Sequence, residues 1–432
     1  MRGFRSLNAV PKRCYAAARS VEALKFSTTA SPAPQDVQVS KLTNGLVIAS
    51  LENHSPLCNV GLFVKAGSRY ETAENLGVSH VLRLAANLTN KNASGLKICR
   101  SLEALGGSLS VTSSRETMVY TATCLRDHLE LFLETLVNVT TAQEFRPWEV
   151  SELTSRVKID RKNGLSNSLY CPDYMDDRIS PEQLQSFVKE NFSTGRMAVV
   201  GLGVKHSVLR QVGEELLSDR RGPGVATDKS VYRGGELRVQ NSDSLVHAVI
   251  ASEGGVMGSA EANAFSVLQR ILGTGPHVKR GSNITSKLSL GIGKATAQPF
   301  SAAAFNTSYS DSGLFGVYTI AQADLAGEVI HAAIAQVRGV AEGNVTEADM
   351  TRAKNQVTAE YLMSVESSDV LMEEIGAQTL TTAAYQLPHT VLQTTDTVTQ
   401  EDVVKAAKKF VDGKKTMAAS GQLVNTPFVD EF

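Results

Sequence analysis

The sequence predicts an α+β protein built from two homologous lobes, each a mostly antiparallel sheet with helices packed on one face. Three observations predict it. The chain has 432 residues, more than the roughly 250–300 that a single hydrophobic core serves. Strand-like and helix-like patterns recur in the same order in its two halves. They do so without the regular strand–helix–strand alternation that builds a parallel sheet.

The first stretch, residues 1–33, stands apart from this pattern. It carries Arg2, Arg5, Lys12, Arg13, Arg19 and Lys25 against the single acid Glu22, and closes on Ser27, Thr28, Thr29, Ser31 and Pro32. A basic, acid-poor, hydroxyl-rich segment with no apolar run has the composition of a matrix-targeting presequence, and its charge responds to a negative membrane potential. Without its six basic residues and one acid, the remaining chain carries −6 where the whole carries −1. That balance, from 43 Lys and Arg against 44 Asp and Glu in all, offers nothing to a polyanion, so nucleic acid is excluded as a partner. The most apolar segment, Met197 to Val204, is far shorter than the roughly 20 residues that span a bilayer, so any membrane contact is made through partners. Cys14, Cys58, Cys99, Cys124 and Cys171 lie far apart without a CxxC pair, which argues against a disulfide framework or zinc knuckle and fits a reducing compartment.

The repeat defines the lobes. Asn59 to Val64 reads as a strand followed by Gly67, Glu74-Asn75 and a helical pattern through Val81, Leu82, Leu84 and Leu88; His247 to Ala251 is followed by Gly254, Glu261, Asn263 and helical Phe265, Leu268, Ile271 and Leu272. Thr117 to Cys124 alternates into an amphipathic helix at Leu129, Leu131, Phe132 and Leu136, as Gly313 to Ile320 does into Leu325, Val329, Ile330 and Ile334. Ser180-Pro181 and Thr399 each start a capped helix, ahead of the strands Met197–Gly201 and Met417–Gly421. The polar, glycine-bearing stretch 219–235 has linker composition, which sets the lobes at 34–218 and 236–432.

The segment Gly77 to Leu84 (GVSHVLRL) resembles the helix that carries the inverted zinc signature H-x-x-E-H in pitrilysin-type (M16-like) peptidases. On such a helix two histidines four apart share a face and reach one metal, and the glutamate beside the second activates its water. Here only His80 remains. Arg83 stands where the base belongs and Leu84 where the second ligand belongs. A guanidinium accepts no proton and a hydrocarbon coordinates nothing. The equivalent stretch of the second half, Leu268 to Leu272, offers no ligand either. Glu149 and Glu152, in the region of the family's third ligand, are expected to be solvated helix charges. No catalytic residue, metal or cofactor is therefore expected in this chain.

From about Val37 to Phe432 the chain resembles the two-domain members of the pitrilysin and mitochondrial processing peptidase family, among them the noncatalytic core proteins of respiratory complex III. The resemblance rests on Leu42–Ser50, Lys65–Glu71, Asn167–Tyr174, Gly275–Asn283 and Ala304–Gly313. It implies a structural and assembly subunit of the mitochondrial ubiquinol–cytochrome c reductase, peripheral on the matrix side of the inner membrane. It also implies pairing with core protein 1 and other complex III subunits, and a cavity in which the Rieske presequence lodges. The alternative is the noncatalytic α subunit of the processing peptidase, which holds presequences with a glycine-rich loop. The loop here is stiffened by Pro276 and made basic by Lys279 and Arg280, which suits a fixed partner contact through Gly275, Pro276, His277, Lys279 and Arg280 better than a mobile clamp on a basic peptide. After Asp160 the family pattern leads one to expect further helical residues before Asn163, and their loss would expose apolar surface on former neighbours.

Overall fold

The computed structural model describes residues 36–153, 169–175, 178–217, 220, 222, 229–275 and 285–432. The targeting segment, the stretch after Asp160 and much of the linker lie outside these residues.

Two sheets organise the chain. The first holds β1 (Gln38–Lys41), β2 (Val47–Leu51), β3 (Leu57–Val64), β4 (Ser108–Ser113), β5 (Met118–Leu125) and β6 (Met197–Leu202), in the order β1-β2-β6-β3-β5-β4. The second holds β7 (Gly235–Gln240), β8 (Leu245–Glu253), β9 (Ser301–Ser308), β10 (Gly313–Gln322) and β11 (Thr416–Gly421), in the order β7-β11-β8-β10-β9. Leaving β1 aside, the two orders superimpose strand for strand. In each sheet one pair is parallel, β2 with β6 and β7 with β11, and every other pairing is antiparallel. The recurring sequence blocks are thus topologically equivalent: β3 matches β8, β5 matches β10, and β6 matches β11.

The helices follow from their caps and stripes. Before β6, α4 (Pro181–Asn191) starts at a capping box in which the Ser180 hydroxyl accepts the Gln183 N–H while the Gln183 side chain accepts the Ser180 N–H. Before β11, α12 (Gln400–Asp412) opens the same way between Thr399 and Asp402. The earlier helices are α1 (Val78–Leu84), α2 (Gly95–Ala104) and α3 (Leu129–Thr141), with α5 (His206–Glu215) after β6. In the second half come α6 (Ala260–Leu272), α7 (Lys287–Ala295), α8 (Ala326–Ala341), α9 (Glu347–Val365), α10 (Ser368–Thr382) and α11 (Pro388–Asp396). Each sheet buries one face against helices of its own half, giving a core around Leu62, Tyr120, Phe132 and Phe187 and another around Phe265, Phe315, Val337 and Phe410.

One helix crosses between the halves. α10 lies on the other face of the first sheet, where Met372, Ile375 and Leu380 pack against Val47, Ala49, Phe63, Val119, Ala198 and Val200. Its start is held by Asn59, whose amide donates to Ser368 Oγ at 3.0 Å and Asp369 Oδ1 at 3.3 Å. Burying three aliphatic side chains of this size contributes about 1.5–3 kcal/mol each, so this seat joins the halves as firmly as a small core. The first sheet is therefore covered on both faces. On the second sheet no hydrophobic cluster forms on the corresponding face among the described residues, and Leu237, Val239 and Leu245 are exposed there.

Candidate functional site

The helix that would carry a zinc site is placed by its own short-range chemistry. Gly77 caps α1 in the left-handed region at φ 89°, and a Cβ there would stand 2.5–2.7 Å from the Cα, Cβ and Sγ of Cys171. Only glycine fits both the conformation and the contact. The N–H groups that the first turn leaves without an intrahelical partner are taken up by Glu71, which accepts from Gly77 N at 2.8 Å, Ser79 N at 2.9 Å and the Ser79 hydroxyl. Burial pushes the Glu71 carboxyl above its usual range, with these hydrogen bonds opposing the shift.

His80 is fully buried. Its Nδ1 accepts the backbone N–H of Cys171 at 3.2 Å, and its ring meets Tyr170 edge-on at 5.1 Å. One ring nitrogen is therefore already used to fasten the 169–175 segment to α1. Leu84 packs on the rim of the first core, and Arg83 lies half-buried one residue before it. Glu149 is not a solvated charge: it accepts the Thr89 N–H at 3.1 Å and the Thr89 hydroxyl at 2.6 Å, bracing the turn that follows α1. Glu152 is exposed, as expected. Among the described residues no three His, Cys, Asp or Glu side chains gather closely enough to hold a metal ion.

The zinc that the peptidase family implies does not fit these residues. A cation at Arg83 opposes a divalent ion, Leu84 brings no lone pair, and the nearby carboxylates Glu71 and Glu149 are occupied by backbone and hydroxyl donors. In the second half the matching helix is structural. Leu268, Ile271 and Leu272 are fully buried, Gln269 donates to the Ala304 carbonyl at 3.1 Å, and Arg270 pairs with Glu360. Of the loop residues singled out for partner contact, Gly275 has φ 122°, while Pro276, His277, Lys279 and Arg280 lie outside the described residues.

What the structure brings together instead is a junction between the halves. Arg69, beyond β3, donates to Glu116 Oε1 at 2.7 Å and, across the junction, to Asp311 Oδ1 at 2.8 Å. Glu116 in turn accepts the Ser310 N–H at 3.0 Å and the Ser310 hydroxyl at 2.6 Å, while Asp311 accepts the Ser230 N–H at 2.8 Å. The Arg69 guanidinium holds the Asp311 carboxyl far below the usual carboxylate range, against the effect of partial burial. This network floors a cleft of about 300 Å³ walled by Arg115, Tyr232 and Tyr309. Sequence spacing gave no sign of it, because Arg69 and Asp311 stand 242 residues apart.

Comparison with known proteins agrees with this geometry. Residues 47–173 match the model of insulinase-type peptidases of family M16, and residues 178–357 match that of the M16 inactive domain. The chain is 56% identical to mitochondrial cytochrome b-c1 complex subunit 2 of Mus musculus, over 94% of this chain and 95% of the mouse protein. Against the human subunit 2 the identity is 53%, over 99% and 97%. The α subunit of the mitochondrial processing peptidase of Solanum tuberosum is 31% identical, over 92% of this chain and 84% of its own length. The chain belongs to the M16 peptidase family, as a noncatalytic member of the group formed by the mitochondrial cytochrome b-c1 complex subunits 2.

Proposed function

We propose that this chain acts as core protein 2 of the mitochondrial ubiquinol–cytochrome c reductase, a structural and assembly subunit of complex III that performs no chemistry of its own. The observation that carries this reading is the identity of 53–56% to cytochrome b-c1 complex subunit 2 along nearly the whole length, against 31% to the processing peptidase α subunit. The helix at His80 supports it from the chemical side. The helix, held by Gly77 and Glu71, lacks the pair of groups that hydrolysis requires.

In this reading residues 1–33 direct import, and the lobes 34–218 and 236–432, joined through 219–235, hold to each other through α10 and Arg69. The chain sits on the matrix side of the inner membrane and pairs with core protein 1, and the cavity between the two accepts the Rieske presequence. No described helix is long and apolar enough to cross a membrane; in this reading attachment runs through neighbouring subunits. The chain carries no cofactor.

Native-gel fractionation of mitochondria, with identification of co-migrating chains, tests this reading. Co-migration with cytochrome b and core protein 1 is the expected result. Recovery in a soluble complex with a processing peptidase β subunit would replace it with the presequence-binding alternative. Zinc analysis of the purified chain gives a second check: stoichiometric zinc together with presequence cleavage would overturn the noncatalytic role.

A further inference from the structure

The cleft at the junction of the halves contains one guanidinium without a partner among the described residues. Arg115 and Glu116 sit at the tip of the turn between β4 and β5, which is closed by Ser114 N–H to Thr117 O at 2.8 Å and Thr117 N–H to Ser114 Oγ at 3.0 Å. Glu116 is taken up by Arg69 and Ser310. The half-buried Arg115 side chain beside it makes no hydrogen bond or ion pair among the described residues, whereas every other buried or half-buried arginine among them is engaged. Its backbone is fixed: Arg115 O accepts the Arg69 N–H at 2.8 Å, and a Cβ on Gly67 would stand 2.4 Å from the Arg115 carbonyl. A guanidinium carried on such a fixed turn, with five donors and no acceptor, is a preorganised seat for a planar anion.

The wall beside it is apolar. Val231, 74% exposed, lines the cleft with Leu314 and Tyr309, and the Tyr232 hydroxyl is already bonded to Ala251 O and Thr416 Oγ1. The N–H and C=O of Val231 lie outside any strand or helix and make no hydrogen bond among the described residues, so main-chain groups are on hand along that wall. At about 300 Å³ the cleft is at the small end of ligand sites and takes a group of about one residue. Its floor sets the one guanidinium of Arg69 against the two carboxylates of Glu116 and Asp311, so a dianion such as phosphate is repelled more strongly than a monoanion.

We propose that this cleft binds the C-terminal residue of a polypeptide that ends in an aliphatic side chain. The α-carboxylate takes two parallel hydrogen bonds from Arg115, and the side chain on the same carbon packs against Val231, Leu314 and Tyr309. A carboxylate and a hydrocarbon sharing one carbon match a free guanidinium beside an apolar wall. An internal Asp or Glu brings the charge without the hydrocarbon, and has chain on both sides of it to house.

The test uses the full chain and short fluorescein-labelled peptides of one neutral sequence ending in leucine, with binding read by fluorescence anisotropy. The free acid should bind saturably. Its C-terminal amide, and a free acid ending in glycine, should each bind about tenfold more weakly or worse, as the loss of a charge-assisted hydrogen bond or of a buried leucine side chain requires. An amidated peptide with glutamate in place of the leucine should do no better than the leucine amide. Arg115→Gln should weaken the free acid about tenfold and leave the amide unchanged; the Arg115 side chain bonds to nothing among the described residues, and circular dichroism checks that the fold is kept. No saturable binding of the free acid, equal affinity for acid and amide or for leucine and glycine, a glutamate peptide amide that binds like the free acid, or an Arg115→Gln variant that binds as tightly as the wild type would each overturn the proposal.

Discussion

Replacing Gly376 with alanine should destabilise the protein, although alanine is the better helix former. The position lies within α10, so intrinsic propensity alone favours the substitution by about 1 kcal/mol. The added methyl, however, would stand 2.2, 2.3 and 2.5 Å from the Cζ, Cε1 and Cε2 atoms of Phe63 in β3. Carbon–carbon contacts settle at roughly 3.5–4.0 Å, so helix and ring must separate by more than an ångström. The ring has little room to yield, because it already lies against Gly61, whose own Cβ position is 2.7 Å from Cε2. Overpacking of this kind costs roughly 1–3 kcal/mol, and with three ring atoms involved the upper end applies, leaving a net loss of about 2 kcal/mol after the propensity gain. Urea unfolding followed by tryptophan fluorescence and circular dichroism measures it. Phe63→Leu in the same chain should relieve the clash, so the double variant should lose less than the two singles together, with a coupling of about 1 kcal/mol. If Gly376→Ala proves more stable than the wild type by the propensity term, α10 is not seated on the first sheet and the account of how the halves are locked is wrong.

Other consequences follow from the same contacts. Arg69→Met should loosen the halves at neutral pH by about 1–3 kcal/mol, between the values for exposed and fully buried ion pairs, read as faster limited proteolysis. Because the Asp311 carboxyl is held below its unfolded value, its stabilisation is present above about pH 4 and lost only as pH falls through the lower folded value. The acid limb of the wild type should therefore be steeper than that of Asp311→Asn. Asp349 is held at about 2: burial opposes its ionisation, and hydrogen bonds from Thr346, Lys287 and Arg352 outweigh that effect. Its contribution should fade between roughly pH 4 and pH 2, and Asp349→Asn should cost about 1 kcal/mol at pH 7 through the weakened cap of α9 in urea unfolding. Thr89→Val should remove the hydroxyl bond to Glu149 while the backbone N–H bond stays, weakening the turn after α1 by about 1–2 kcal/mol, a loss that thermal unfolding detects.

The repeat was legible because it is written in local periodicity. The runs at Asn59–Val64 and His247–Ala251 became β3 and β8, and the capping residues Ser180 and Thr399 began helices as their side chains dictate. Strands β1 and β2 went unread, and in both halves the far edge strand was missed: β4, which runs Ser-Leu-Ser-Val-Thr-Ser, and β9, which runs Ser-Ala-Ala-Ala-Phe-Asn-Thr-Ser. β4 and β9 each lie at a sheet edge, where small and polar residues suffice and the aliphatic alternation that reveals a strand is weak. β7 escaped for a similar reason, since its alternation runs between charged and exposed residues.

The missing chemistry was likewise legible at the level of residue type. Arg83 and Leu84 cannot become a base and a ligand in any fold, so the loss of peptidase function needed no coordinates. What Glu149 does instead did need them, because a carboxylate is a metal ligand, a solvated charge or a brace for Thr89 according only to what stands beside it. The same holds for the two features that make the halves one body. The ion pair of Arg69 with Asp311 and the seat of α10 on Phe63 join residues hundreds of positions apart, and the order of residues along a chain specifies such encounters only through the packing of everything between them. Sequence determined the lobes, their repeat and the silence of the old metal helix; tertiary structure decided how the lobes hold each other, because that depends on distances no local pattern encodes.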